Sequence, residues 1–235
     1  MPLARLLFGM SCILVVPAFA QNNRSNDYGG GTRLQPRAAQ IVQSGPNAAQ
    51  LVLQQFGMCL VTRRMGSTEQ ALALPLDTPG YDKGIQRLFA SVGDACLEGS
   101  GDLQFPSSLL RGSLFEALYR RKFGTSEVDN FPGNFETGYA ASFAAPLSPE
   151  VRQHVILQQF SECVIKSDAA TVRRLVLSSP GSSSEEASIV TLSSGFSSCF
   201  PAGTSLKMTK PSLRAMMAEA LYRMNVLIGA QGAAQ

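Results

Sequence analysis

The sequence predicts an all-α protein made of two tandem copies of a repeat of roughly four helices, each copy closed by a single disulfide. Apolar residues recur at the i, i+3, i+4 spacing that places them on one face of a helix. No stretch alternates apolar and polar residues between hairpin turn signals, as the strands of a half-exposed sheet would. Blocks of sequence also recur after 103 or 104 residues, which is typical of a repeat architecture.

The recurring blocks keep their order along the chain. Leu-Gln-Gln-Phe-x-x-Cys ends at Cys59 and again at Cys163, 104 residues later. A second cysteine recurs after 103 residues, and so does Leu-Arg-x4-Glu-Ala-Leu-Tyr-Arg, which we call the LR–EALYR block (110–120 and 213–223). A deletion of one residue aligns all of these blocks, so the pattern indicates an internal duplication.

Helices are expected at matching places in the two copies. Ser148 followed by Pro149 suits the start of the first helix of the second copy. A loop rich in Pro, Gly and Ser ends the short second helix in both copies, and the third helix leads to the second cysteine. The first, second and fourth helices are predicted at about 47–64, 68–74 and 108–122, and again at about 149–166, 169–177 and 211–227.

The chain therefore divides into six predicted parts. They are a signal peptide (1–20), a flexible leader (21–45), helical repeat 1 (46–123), a connector that contains aromatic residues (124–147), helical repeat 2 (148–228) and a flexible tail (229–235). In the connector, Phe131, Phe135, Tyr139 and Phe143 recur at four-residue intervals. They are interpreted as covering the helical cores, and the alternative is a partly exposed aromatic docking strip.

The first twenty residues have the pattern of an export signal. Arg5 precedes the apolar run 6–16, and Ala18-Phe19-Ala20 fits a cleavage site that would leave Gln21 as the mature N-terminus. The run is too short for a membrane anchor, and the residues before Cys12 suit lipidation poorly. A periplasmic or secreted protein with no transmembrane segment in the mature chain is predicted.

Composition excludes several classes of function. A net charge of +3 gives little reason to expect nucleic-acid binding, and 45% hydrophobic residues exclude a disordered chain. The single histidine and the lack of CxxC or paired Cys/His spacings predict no metal site, and no cofactor motif is present. Four cysteines follow the signal, and duplication favours the pairs Cys59–Cys96 and Cys163–Cys199 among the three possible pairings.

This arrangement resembles uncharacterised exported tandem-repeat helical proteins of Gram-negative bacteria. The resemblance depends on the cysteine carried by the first helix, the Pro/Gly/Ser loop, the second cysteine and the LR–EALYR helix, and it covers most of residues 47–227. It implies architecture and location, and it implies no activity.

The LR–EALYR block is the strongest candidate site because it is identical in both copies. Its Glu and final Arg are spaced i, i+4 and are interpreted as charge pairs on a solvated helix face, while its leucines and tyrosines pack in the core. The alternative is a ligand or anion site, for which the candidate binding residues are Arg111, Tyr119, Arg120, Arg214, Tyr222 and Arg223.

No catalytic residue is predicted. His154, whose counterpart in the first copy is Gln50, is interpreted as a histidine on the helix surface or its boundary. The sequence therefore favours a non-enzymatic exported helical-repeat protein that binds a protein partner or an envelope component. The alternative is a small envelope hydrolase that uses a helix-borne glutamate, Glu116 or Glu219.

Overall fold

The computed structural model describes residues 47–97, 105–126, 131–143, 147–200 and 208–232. Within these ranges the chain forms six α-helices and two short 3₁₀ turns, and it forms no strand. The predicted all-α class is confirmed. The helices are α1 (Ala48–Ala73), α2 (Pro79–Cys96), α3 (Ser107–Phe123), α4 (Pro149–Leu177), α5 (Ser183–Ser193) and α6 (Lys210–Gly232). The predicted signal peptide and leader lie outside the described residues.

The number of helices differs from the prediction because α1 and α4 each join two predicted helices across a kink. The kinks lie at Arg64 (φ −145°, ψ 49°) and at Asp168 (φ −154°, ψ 73°), 104 residues apart. Asp168 caps the segment after its kink by accepting a hydrogen bond from the Thr171 amide at 3.0 Å. Each half of the described chain therefore has three α-helices instead of four.

Other boundaries follow from local chemistry. The Ser148 hydroxyl accepts a hydrogen bond from the Val151 amide, so α4 begins where the sequence predicts. In the second half the cysteine that follows α5 lies on a separate 3₁₀ turn, Phe196–Cys199. The predicted flexible tail begins at 229, but α6 continues to Gly232.

Helices α3 and α6 pack against each other at the centre of the molecule. The kinked helix α1 covers α3 on one side, and α4 covers α6 on the other. Both central helices are enclosed, so nearly every face of them is buried. The residues predicted to form their core faces are buried as expected: Leu110, Leu114, Ala117, Leu118, Leu213, Met217, Ala220, Leu221 and Met224.

Two disulfides fasten the outer helices. Cys59 of α1 is bonded to Cys96 at the end of α2, and Cys163 of α4 is bonded to Cys199. These are the two pairs that duplication favours. The connector aromatics Phe131, Phe135 and Tyr139 are buried, as expected if they cover the cores, whereas Phe143 is half-buried. No helix in the described part of the chain is long and apolar enough to cross a membrane.

Candidate functional site

Charged side chains of the LR–EALYR blocks meet inside the interface between α3 and α6. Arg111 of α3 has no exposed surface and donates from Nε and Nη2 to the carboxylate of Glu219 on α6, over 2.9–3.1 Å. Arg223, one turn after Glu219, donates to the same carboxylate at 3.0 and 3.1 Å. We call these three residues the Glu219 cluster.

The same arrangement occurs with the two helices exchanged. Arg214 of α6 donates to Glu116 of α3 at 2.7 and 2.9 Å, and Arg120 donates to Glu116 at 3.0 Å. Arg214 also forms an ion pair with Glu185 of α5 at 2.9 Å. We call these four residues the Glu116 cluster.

Both clusters also satisfy the carbonyl groups that the kinked helices leave unpaired at their ends. Arg111 donates to the Leu72 and Leu74 carbonyls at the end of α1, and Arg214 donates to the Val176 and Ser178 carbonyls at the end of α4. Cations are favoured there because the last carbonyls of a helix carry partial negative charge. Each cluster therefore joins the two central helices, α3 and α6, to one of the kinked helices.

The tyrosines of the two blocks contact the kinked helix of the opposite half. Arg173 donates to the Tyr119 hydroxyl at 2.9 Å, while the Tyr222 hydroxyl donates to Glu69 at 2.8 Å. The two partners, Arg173 and Glu69, occupy matching positions 104 residues apart. The repeated tyrosine is thus kept, although its partner changes from a cation to an anion.

The clusters hold their groups in the charged state. Burial alone raises the pKa of Glu219, but the charges of Arg111, His154 and Arg223 more than reverse this and place the pKa well below its ordinary value of 4.5. Burial alone lowers the pKa of Arg111, and the Glu219 carboxylate raises it above the ordinary value. An acid that is ionised this firmly is unsuited to donate a proton at neutral pH.

This burial corrects the interpretation of the glutamate–arginine pairs as solvated. Glu116 and Glu219 are 4% and 0% exposed, and they lie between helices. Arg111 and Arg214 are buried and bonded within the chain, Arg120 and Arg223 keep only part of their surface exposed, and Tyr119 and Tyr222 are buried. The candidate binding residues are thus brought together, but they bind each other.

A cleft of about 200 Å³ opens beside the Glu219 cluster. It lies between the turn that joins α1 to α2, the start of α3, the first turns of α4 and the start of α6. We call it the His154 cleft. Its lining includes Leu76, Asp77, Glu150, His154, Leu157 and Met216.

His154 lines this cleft and is only 5% exposed, which corrects its interpretation as a surface or boundary residue. Its Nε2 lies 3.1 Å from the Tyr139 hydroxyl and 3.5 Å from Glu219 Oε2. Because the ionised Glu219 only accepts hydrogen bonds, a proton on Nε2 of His154 suits this contact.

Asp77 lies in the turn at the edge of the cleft and has a φ of 59°, in the left-handed region. It is the only non-glycine residue with positive φ in the described parts of the chain, and its counterpart, Gly181, has a φ of 76°. Burial raises the pKa of the Asp77 carboxyl, and the nearby charges of Asp82 and Glu150 raise it further, while His154 has the opposite effect.

A second cleft, of about 450 Å³, lies at the matching place in the other half. Gln50 lines it where His154 lines the first cleft, and Leu53 takes the place of Leu157. The two halves thus build similar concave surfaces with different chemistry. In sequence, Glu150 is matched by Pro46, which lies outside the described residues.

Sequence reasoning missed Asp77 and Glu150 because neither belongs to a recurring block. The sequence did contain an indication of this site, in the positions at which the two copies differ. At an offset of 104 residues, Asp77 is aligned with glycine and His154 with glutamine. The structure brings these non-matching positions to one cleft.

The fold and site define an all-α, disulfide-bonded protein with a small cleft whose walls are mainly apolar. In the described residues, no group of three or more His, Cys, Asp or Glu side chains is placed to hold a metal ion. No protein-family model, curated protein or solved structure matches this chain.

Proposed function

We propose that this chain is an exported, non-enzymatic binding protein that takes a small ligand, or an exposed group of an envelope component, into the His154 cleft. One observation carries the proposal: a cleft with mainly apolar walls is also lined by the nearly buried His154 and by the carboxylates of Asp77 and Glu150. Clefts with apolar walls and a few convergent polar groups are the usual form of small-molecule sites.

Export is supported by the signal pattern at 1–20 and by the cysteines. All four cysteines after the signal pattern are paired, and disulfides persist in oxidising compartments such as the periplasm. N-terminal sequencing of periplasmic or culture material should find Gln21 first. An intact Met1, or a lipid on Cys12, would contradict this part of the proposal.

We also propose that the protein arose by tandem duplication. Matching features beyond the sequence blocks support this origin. They are the disulfides, the kinks at Arg64 and Asp168, the positive φ at Asp77 and Gly181, and the exchanged Arg–Glu clusters. On this proposal, both copies keep the Arg–Glu clusters because the fold depends on them. The residues of the His154 cleft differ from their counterparts because this cleft took on a binding function.

The alternative is a small envelope hydrolase, and the structure favours a different glutamate for it. Glu116 and Glu219 are enclosed by arginines, whereas Glu150 lies on α4 in the same cleft as Asp77. A pair of carboxyl groups in one cleft is the arrangement that glycoside hydrolysis needs. The raised pKa of Asp77 would suit the acid of such a pair.

One experiment tests both functions. The ¹⁵N-labelled mature protein is mixed with low-mass and detergent-solubilised fractions of a Gram-negative envelope, and amide shifts are followed over time. Saturable shifts at Asp77, His154 and Met216 that disappear in the His154→Gln variant, with no change in the added material, would support binding. New product signals that disappear in Glu150→Gln would support the hydrolase, and no saturable shift at the cleft would contradict both.

The variant His154→Gln is chosen because the other cleft already carries Gln50 at the matching position. As a matched control we use Gln159→Asn, which changes an exposed side chain on the same helix outside the His154 cleft. Loss of the cleft shifts in both variants would indicate general damage to α4.

A further inference from the structure

A further pocket, of about 260 Å³, lies where the connector packs against α4. We call it the connector pocket. Its lining includes Tyr139 and Ala140 of the connector and Val155, Gln158, Glu162 and Lys166 of α4. At an offset of 104 residues, Glu162 is aligned with Met58 and Lys166 with Thr62, so the first half does not repeat these charged groups.

Gln158 brings an unsatisfied polar atom to this pocket. The residue is 1% exposed, and its Oε1 has no hydrogen-bond partner among the described residues. At the other end of the amide, Nε2 contacts the Met216 sulfur at 3.6 Å, and a thioether is a weak acceptor. A buried acceptor without a partner destabilises a fold, so its presence needs an explanation. A partner that enters the pocket from outside would supply one.

The other half shows how this amide comes to be free. Gln54 is the counterpart of Gln158 in the repeated Leu-Gln-Gln-Phe block, and its Nε2 donates to the Glu116 carboxylate. In the second half it is Nε2 of His154 that lies 3.5 Å from the corresponding carboxylate, that of Glu219. The same type of residue therefore has a charged partner in one half and lacks one in the other.

The charged groups of the connector pocket are already bonded to the connector. Glu162 accepts hydrogen bonds from the hydroxyl and the amide of Thr137. Lys166 donates to the carbonyls of Gly133 and Phe135 at 3.2 and 3.0 Å. Both keep spare capacity, because a carboxylate has about four acceptor sites and an ammonium group has three donors. Opposite charges one helical turn apart, both already bonded, favour a neutral ligand that donates and accepts.

A ring that carries several hydroxyls matches this set, because each hydroxyl both donates and accepts. Tyr139, Ala140 and Val155 add apolar surface for the C–H groups of such a ring. We propose that the connector pocket binds an uncharged sugar ring, one of whose hydroxyls donates to Oε1 of Gln158. The last torsion of a glutamine side chain is soft, which lets this oxygen turn towards an entering group.

The size of the pocket limits the ligand to about one ring. Its volume of about 260 Å³ exceeds that of a cavity of about 150 Å³ that holds benzene, and a sugar ring with its hydroxyls is larger than benzene. This chemistry has two sources, a free monosaccharide and the end of a glycan chain.

The test is a titration of the oxidised, ¹⁵N-labelled mature protein with methyl β-D-glucopyranoside, glucosamine and glucuronate at pH 7. The three compounds share one ring and differ in charge. We expect saturable shifts of the Gln158 side-chain amide and the Ala140 backbone amide, with the tightest binding for the neutral glucoside. Equal or tighter binding of either charged sugar, or no saturable shift with the glucoside, would overturn the inference.

Methyl β-cellobioside, which carries two such rings, distinguishes the two sources. Tighter binding of this compound than of the glucoside would point to the end of a glycan chain. Equal or weaker binding would point to a free monosaccharide.

Variants at Gln158 test the unpartnered amide. Gln158→Met puts an apolar chain of similar length in its place and should weaken glucoside binding at least tenfold. It should unfold at the same urea concentration as the wild type or a higher one, because no buried acceptor is left without a partner. Gln54→Met is the matched control: it removes the paired amide of the other half, so it should unfold at lower urea and bind the glucoside normally. Unchanged glucoside binding in Gln158→Met would contradict the role given to this amide.

A second pair of variants tests the pocket from its exposed side. Ala140 and Ala141 are adjacent, exposed residues of the 3₁₀ turn Tyr139–Ser142, and of these two only Ala140 lines the pocket. Ala140→Phe should abolish glucoside binding because the added ring occupies the pocket, whereas Ala141→Phe should leave it unchanged. The same glucoside affinity in both variants would show that the sugar binds elsewhere.

The inference does not depend on the proposed function, because it concerns a different pocket. If the glucoside shifts the Ala140 amide but no envelope fraction shifts that of Asp77, the sugar site stands and the proposed function fails. If envelope material shifts Asp77 and no sugar shifts Ala140, the proposed function stands and the sugar inference is wrong.

Discussion

Gly112 of α3 lies directly against Ala215 of α6, so closely that a Cβ at position 112 would be 2.2 Å from the Ala215 Cβ. The two residues occupy the same place in the two LR–EALYR blocks. The two central helices thus make close contact where a position of one block meets the corresponding position of the other.

The first prediction follows from this contact. Gly112→Ala should lower the free energy of unfolding by about 1–3 kcal/mol, because the added methyl forces α3 and α6 apart in a closely packed interface. Urea unfolding at pH 7 measures it. Gly66→Ala is the control, since nothing lies within 4 Å of a Cβ there and alanine favours a helix, so that variant should be unchanged or slightly more stable.

The crossing also shows what could be predicted from sequence. Helix periodicity and the recurring sequence blocks identify the core faces of both central helices, and the pairing that a duplication would favour matches the two disulfides. The burial of Glu116 and Glu219 could not be predicted in this way. An i, i+4 charge pair looks the same on a solvated face and in an interface, and only the opposite helix, with Arg214 and Arg111, distinguishes the two.

The second prediction concerns the buried carboxylate. Glu219→Gln should lower the free energy of unfolding by about 3–5 kcal/mol at pH 7, because Arg111 then remains buried without its counter-charge. Glu186→Gln is the matched control: it breaks an exposed pair with Lys210 and should change stability by less than about 1 kcal/mol. Equal decreases in the free energy of unfolding of the two variants would contradict the claim that burial makes the Glu219 pair the more important one.

The third prediction is the pH dependence of this effect. The pKa of Glu219 is lower in the folded protein than in the unfolded chain, where it is about 4.5. The ionised carboxylate therefore stabilises the folded state above about pH 4.5, and this stabilisation is lost as the pH falls towards the folded pKa. The stability difference between the wild type and Glu219→Gln should therefore shrink as the pH is lowered from 5 to 3. Urea unfolding at several pH values measures it, and a difference that grows towards acid pH would show that the sign is wrong.

The fourth prediction separates stability from function at Asp77. The left-handed φ of Asp77 is a conformation that destabilises a residue with a Cβ by about 1 kcal/mol, whereas glycine adopts it without that strain. Asp77→Gly should therefore raise the free energy of unfolding by up to about 1 kcal/mol. Asp77→Ala should lower it, because alanine adopts this conformation less readily than aspartate. A more stable Asp77→Gly variant that no longer shows saturable shifts with envelope material would indicate that the strained backbone at Asp77 serves binding in the cleft.

The last prediction concerns the disulfides, which close loops of nearly equal length. The bonded cysteines are 37 and 36 residues apart, so the chain-entropy account assigns each bridge about 4 kcal/mol. Replacing Cys59 and Cys96 by serine, or Cys163 and Cys199, should then lower the free energy of unfolding by similar amounts, about 2–4 kcal/mol for each pair.

The two disulfides differ in where they end, since Cys96 is the last residue of α2 whereas Cys199 lies on a 3₁₀ turn. A much smaller loss for the second pair would mean that stabilisation depends on the helix each bridge fastens and not on loop closure. Urea unfolding of the two double variants decides between these accounts, and a non-reducing peptide map that links Cys59 to Cys163 would contradict the pairing itself.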